Sequence, residues 1–247
     1  MKITTIKWHK SIKEIPKIIW NNFLGSNSTP FYNWNWLNAL ESSGSISPKY
    51  GWQPLFLSAW SGKDLIACAP LYLKSHSYGE FIFDNAFAQL AQDMGLKYYP
   101  KLIGMSPLSP IEGYRFLFSE GAHEREITKI LIEEIDNFAN SNGILSCNFL
   151  YVDPAWTIIA ESQNCAKWIN QQSLLTLNEE KNFSDFLKKF NSNQRRNIKR
   201  ERESIKNSGV KVQAITGSEI NEINLKKMHY YYQLHCSRWG IWGSKYL

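Results

Sequence analysis

The 247-residue sequence is short of several things, and each shortage argues against a class of protein. Cysteine is scarce. Cys68, Cys147, Cys165 and Cys236 form no C-x-x-C pair and no Cys/His spacing of a zinc site, which argues against a disulfide scaffold and a zinc-built fold. They read as thiols of a reduced cytoplasm. No apolar run approaches the roughly 20 residues that a membrane span needs. The N-terminus, MKITTIKWHKSIKEIPKIIW, alternates charge with apolar residues and has no signal-peptide core. There is also no P-loop, no GxSxG elbow and no HExxH helix. The expectation is a cytoplasmic chain without a membrane segment, a metal or a tightly bound cofactor.

Excess positive charge is missing almost everywhere. The chain carries a net +6 and a pI near 9.0, yet KKFNSNQRRNIKRERESIKNSGVK (188–211) alone holds nine Lys or Arg against two acids. That is +7, which leaves the remainder of the +6 chain at −1. At 100° per residue, Arg195, Lys199, Arg202 and Lys206 fall within about 60° of one another on a helix. Arg196 and Arg200 widen that face, while Ile198 and Ile205 lie opposite, where they would dock on a core. Such a stripe binds phosphate in a cofactor, a tRNA or a lipid headgroup, or is a solvated face. Phe190 is the only ring in the stretch, which argues against a base-stacking platform.

What is present is globular: 43% apolar and 14% aromatic residues, with length for one large or two smaller domains. The elements read as mixed α/β. Residues 2–8 form a strand, Ser11 and Glu14 a capping box for a helix to about Phe23, and 31–44 a second helix. QPLFLSAW and LIACAPLYL make an antiparallel hairpin around Ser61–Asp64. GEFIFD (79–84) and LKYYPKLIG (96–104) are strands around a short helix closed by Gly95. A helix over about 123–141 and a buried strand, ILSCNFLYV, follow. Beyond Trp156 the pattern restarts: strand 173–177, a short helix, a basic helix 192–208 stopped by Gly209, strand 210–216, and a helix capped by Ser218. Residues 1–170 thus form one α/β unit and 171–247 the opening of another. Two strands make a poor closed domain, so the second unit is expected to be C-terminally incomplete.

FSDFLKKFNSNQRRNIKRERESIKNSGVKV (183–212) resembles the start of the second half of the Fem-like acyltransferases, which have two tandem GNAT-type domains and are often labelled peptidoglycan biosynthesis or recognition proteins. The shared pattern is an aromatic-led short helix, a run like K-x-R-R-x-I-K-R, then G-V and a strand. Residues 51–89, with SHSYGE, and 95–117, with YYPKL, are similar to one bacterial branch of N-acyltransferases, as is SRWGIWGSKYL (237–247). The likeness runs from about Pro30 to Leu247. It implies a GNAT-like fold, a first unit nearly complete, and transfer of an acyl or aminoacyl group to an amine. The donor it implies is acyl-CoA or aminoacyl-tRNA, and a cell-wall precursor is one acceptor it allows.

Acyl transfer to an amine requires a base, a donor to steady the oxyanion and a cradle for carrier phosphates. Glu80 and Asp84 alternate with Ile82 on one strand face, with Phe81 and Phe83 on the other, and could serve as base and amine anchor. A salt bridge or a solvent-facing side accounts for them equally. Tyr99 joins them as a catalytic candidate; Tyr98 and Tyr99 should point to opposite faces, so one should be core. His76, Tyr78, Lys101, Arg115, Trp239 and Tyr246 are candidates for substrate binding. Lys101 could pair with Glu80 or Asp84 or with phosphate, and Arg115, mid-strand among aromatics, should have an acidic partner. Arg195, Arg196, Lys199 and Arg200 are candidates for the carrier phosphates. The GNAT pyrophosphate loop does not occur in these residues. The competing reading is a non-catalytic protein that binds nucleic acid or a precursor through 188–211. Near-neutrality elsewhere and the acid- and Tyr-rich block at 76–101 favour a substrate cleft, with tRNA and not DNA as the nucleic acid.

Overall fold

The computed structural model describes residues 3–25, 28–171, 173–177 and 180–240. The chain divides into two compact units, one reaching Lys167 and the other starting at Trp168. The first holds, in order, β1 (Thr5–His9), α1 (Lys17–Asn22), α2 (Trp34–Ser42), β2 (Trp52–Pro54), β3 (Phe56–Ser61), β4 (Asp64–Ala69) and β5 (Tyr72–Lys74). Then come α3 (Asn85–Asp93), β6 (Lys101–Gly104), β7 (Leu117–Phe118), α4 (Glu124–Ser141), β8 (Cys147–Phe149) and α5 (Pro154–Glu161).

Two four-stranded sheets run β1-β3-β4-β7 and β2-β5-β6-β8. All the pairs are antiparallel except β6–β8. The expected hairpin is β3–β4, and its arms continue into the other sheet as β2 and β5. The Leu55 N–H donates to the Leu71 carbonyl at 2.9 Å where the arms cross over. Alternation along these arms and along β6 places Leu57, Ala59, Ala67 and Leu102 in one apolar cluster, with Phe116, Leu131 and Trp156. It places Phe56, Cys68, Tyr72 and Ile103 in another, with Trp20, Leu37 and Leu40. The mixed α/β class expected from the sequence is the one observed.

Helix α4 forms because Ile127, Leu131 and Ile135 recur at helical spacing and bury one stripe, each contributing about 1.5–3 kcal/mol. The glycine of β6 is fixed by close approach. A Cβ on Gly104 would lie 2.2 Å from the Tyr114 ring, whose hydroxyl donates to the Pro70 carbonyl.

Several expected elements differ. Ser11 caps only a single 3-10 turn, Ile12–Glu14. Pro16 forces Ile15 into an extended conformation and α1 starts afresh beyond it. Residues 79–84 are not a strand. Gly79 (φ +84°) and Phe81 (φ +58°) are left-handed, which breaks the pleat and makes this a loop leading into α3. Residues 96–100 are also irregular, with a cis Tyr99–Pro100 peptide before β6. Arg115 precedes β7 and is not mid-strand.

The second unit holds α6 (Phe183–Leu187), α7 (Ser192–Asn207) and α8 (Glu222–Ser237). The basic helix α7 forms where expected. Asn191 and Gln194 close a capping box at its start, and Gly209 (φ +75°) follows its end. The strands expected at 173–177 and 210–216 are absent. Leu174 is 89% and Val212 81% exposed, and an apolar alternation with no surface to cover does not hold a strand. Helix α8 is capped by Asn221, while Ser218 belongs to a separate 3-10 turn, Gly217–Glu219. Among the described residues, no helix is long and apolar enough to cross a membrane.

Candidate functional site

Sheet register builds the site. Trp52 lies opposite Lys74, and Lys74 opposite Lys101, so the three side chains form a row on one face of β2, β5 and β6. Two lysines directly opposite each other repel, and both are buried, with 0% and 1% of their surface exposed. Loop 75–84 supplies the compensation. The Lys101 Nζ donates to Glu80 Oε2 (2.7 Å), to Ser77 Oγ (2.9 Å) and, in a short contact, to Asp84 Oδ2. Its three N–H donors thus have three acceptors. Glu80 and Asp84 are themselves buried. Of the partners the sequence offered Lys101 (Glu80, Asp84 or a phosphate), it takes both carboxylates.

A second ring of contacts fixes the loop. The Tyr98 hydroxyl donates to Asp84 Oδ2 at 2.7 Å, and the Tyr99 hydroxyl and Ser77 Oγ share a hydrogen bond at 2.8 Å. Both tyrosines are half-buried and serve the cluster, so neither is core. The Tyr151 hydroxyl donates to the carbonyls of Glu80 and Phe81, at 3.1 Å each. Tyr151 is itself left-handed (φ +53°), and its carbonyl accepts from Gly113 and Tyr114. Left-handed backbone at Phe81 and Tyr151 stores strain of about 1–3 kcal/mol each. Lys74 donates to the Tyr78 carbonyl at 3.0 Å and lies 3.8 Å from the centre of the Trp52 ring.

The cluster separates its two carboxyls. Burial pushes Glu80 above the usual carboxylate range, with Lys101 pulling it back. Burial also acts on Asp84, but hydrogen bonds from Lys101, Tyr98 and Ser77 outweigh it and hold Asp84 below its ordinary value. Burial raises Tyr98, and its bond to Asp84 raises it further. Glu80 Oε1 and Asp84 Oδ1 are buried without a hydrogen-bond partner among the described residues. A buried carboxyl displaced upward, with one oxygen uncommitted, is a better proton acceptor than an ordinary carboxylate.

The other candidates scatter. His76 packs over Gly51, where a Cβ would lie 2.3 Å from His76 Nε2, and burial followed by Lys74 lowers its pKa. The Tyr78 side chain is exposed, and only its carbonyl enters the cluster. Arg115 has the expected acidic partner, donating to both Glu124 oxygens at 2.9 and 2.8 Å. The pair lines a cavity of about 550 Å³ with Glu112 and Asp153, and no residue of the lysine cluster reaches that cavity. On α7, Arg195 donates to the Phe190 carbonyl and Arg196 to Asn193 Oδ1 at 2.8 Å. Lys199 and Arg200 are exposed. Arg202 stacks on Phe183 at 4.0 Å, and Ile205 is exposed where a docked side chain was expected. Trp239 is exposed, and Tyr246 lies outside the described residues. Among the described residues no group of three His, Cys, Asp or Glu could hold a metal.

Sequence reasoning passed over Lys74, Ser77 and Tyr151. Lys74 left a signal: it sits two residues after Tyr72 in an apolar hairpin arm, at an inward position. Ser77 and Tyr151 reach the cluster by long-range contacts with no local pattern.

No curated protein matches the sequence. Among solved structures, the chain is similar to a probable acetyltransferase, at 11% identity and a TM-score of 0.40, over 72% of this chain and 100% of that one. It is also similar to glucosamine-6-phosphate N-acetyltransferase from Arabidopsis thaliana, at 10% identity and a TM-score of 0.36, over 70% of this chain and 99% of that one. Residues 11–247 match the FemAB-like family, described as peptidoglycan biosynthesis/recognition, and the chain belongs to that family.

Proposed function

We propose that the chain is an N-acyltransferase that moves an acyl or aminoacyl group from a CoA or tRNA carrier to an amine. Family membership supports the reaction class, and the observation that carries the chemistry is Lys101 buried between Glu80 and Asp84. Attack on a carbonyl requires the acceptor ammonium to lose a proton. Glu80, raised by burial, is the base, while Asp84, held ionised, is the permanent counter-ion of Lys101. Tyr98 and Tyr99 orient the pair through Asp84 and Ser77. Arg196, Lys199 and Arg200 on α7, with Arg195 at its inner edge, are the surface for carrier phosphates. A cytoplasmic setting, where both carriers occur, fits this reading.

The test is transfer by the full chain to an amine acceptor, from a panel of acyl-CoAs and from charged tRNA. Glu80→Gln keeps the side-chain shape and should lower turnover by about 10²- to 10⁴-fold with unchanged circular dichroism. Full turnover in that variant removes Glu80 from the chemistry. One observation favours the second reading, a protein that binds a carrier or precursor without reacting: Glu80, Asp84 and Lys101 are each 4% exposed or less. A donor that binds and is recovered intact would support that reading.

A further inference from the structure

Glu80 is 1% exposed and its uncommitted oxygen is buried, so no acceptor amine reaches it while residues 77–83 lie where the structure places them. That loop is held by side chains from other segments. Lys101 on β6 donates to Ser77 Oγ and Glu80 Oε2, Lys74 on β5 donates to the Tyr78 carbonyl, and the Tyr99 hydroxyl shares a hydrogen bond with Ser77 Oγ. The Tyr151 contact is of another kind. Its one O–H is shared between two successive carbonyls, those of Glu80 and Phe81, at 3.1 Å each, at the residue that carries the base. Tyr151 is itself anchored, because its carbonyl accepts from the N–H groups of Gly113 and Tyr114 at 2.8 and 2.9 Å. The loop under this hold is not relaxed. Phe81 (φ +58°) occupies left-handed backbone that a non-glycine residue leaves once released, and Gly79 (φ +84°), on the other side of Glu80, turns either way at little cost. Glu80 therefore sits between a strained residue and a swivel, and one hydroxyl fastens the strained side.

We propose that residues 77–83 are a lid over the base and that Tyr151 is its latch, a positioning residue that acts through the backbone of Glu80. The inference rests on Glu80 being the base. When Tyr151 lets go, Phe81 relaxes to ordinary backbone, Gly79 turns, and Glu80 moves away from Lys101 towards solvent. Lys101 keeps Asp84, which stays in place because its carbonyl accepts from Phe87 and Ala88 in α3. The buried cation thus remains paired, and the acceptor ammonium takes against Glu80 the place that Lys101 holds in the closed form. Tyr78 and Phe83 are exposed on the loop, so lifting it strips little apolar contact from either. Closed, the lid withholds the base from water and from stray amines, and it lowers the apparent acceptor affinity by the fraction of molecules that are open.

The experiment reads opening without turnover and then with it. In the full chain, a short pulse of acetic anhydride followed by peptide mass spectrometry measures how fast Lys101 is acylated, with exposed Lys129 as the reference. A parallel pulse of iodoacetamide on Cys68, buried in the core of the same unit, reports general unfolding. Tyr151→Phe keeps the ring and loses only the hydroxyl. It should speed acylation of Lys101 about 10-fold, the worth of one hydrogen bond, and leave Cys68 as slow as before. An unchanged Lys101 rate, or a rise that Cys68 shares, overturns the proposal. In the transfer assay the same variant should lower the acceptor KM about 10-fold, because more molecules are open. Loss of a residue that merely braces the fold would leave that KM alone or raise it, and either result overturns the latch. Should neither carrier support transfer, the acyltransferase reading fails by itself, and the labelling rates still decide whether Tyr151 holds the lid.

Discussion

Lys101 is 1% exposed and holds three acceptors from its own unit, whereas Lys199 and Arg200 on α7 are exposed and no described residue pairs with either. The first unit takes charge inside and neutralises it at short range. The second displays it on a helix whose stability comes from its caps and its own turns. A buried cation is tied to the carboxyls it meets and so to their proton chemistry, while a displayed one is available to any phosphate that arrives. The difference fits the proposed division of chemistry and carrier recognition between the two regions, and it is open to direct attack.

The largest effect should come from removing the buried cation. Lys101→Met strands Glu80 and Asp84 and should destabilise the first unit by about 3–5 kcal/mol in urea unfolding at pH 7. The loss should shrink on acidification as Glu80 takes up a proton. Gly104→Ala tests whether the sheet beneath that row is as unforgiving as the row itself. Its methyl would collide with Tyr114, and overpacking of this kind should lose about 1–3 kcal/mol by the same measurement. Also specific to the first unit, and spread over several pH units, is a slope with pH. Lys74 sits near 7 when folded and near 10.5 when unfolded, so across that window the unfolded chain binds the extra proton. Stability should therefore rise with pH from 7 towards 10, by at most about 1.4 kcal/mol per unit, and Lys74→Met should flatten the rise. The smallest effect belongs to the second unit. Arg196→Glu with Arg200→Glu should leave stability within about 0.5 kcal/mol per site while weakening carrier binding and its salt dependence. If that pair destabilised as Lys101→Met does, the contrast between the regions would collapse.

What could be read beforehand divides along the same physical line. Hairpin β3–β4, helix α4 and helix α7 have local periods, caps and turn residues, and all three stand where those signals put them. The strand expected at 79–84 failed because the Glu80–Ile82–Asp84 alternation is genuine but two left-handed residues, Gly79 and Phe81, break the pleat. Glu80, Asp84 and Lys101 were all named as candidates, and the structure brings them together. Their geometry, with both carboxyls on one lysine, depends on strand register, which no local window encodes. Tyr151 lies some 70 residues from the loop it braces, so nothing near either segment announces the contact.

The row Trp52–Lys74–Lys101 also has a consequence for assembly. Sliding β5 or β6 past its neighbour by one residue would turn a lysine to the opposite face, among Leu57, Ala59 and Leu131, away from Glu80 and Asp84. A bare ammonium there is far less favourable than any apolar mismatch such a slip could produce. The two buried lysines should therefore also act as a key, discriminating against misaligned sheets while the chain folds.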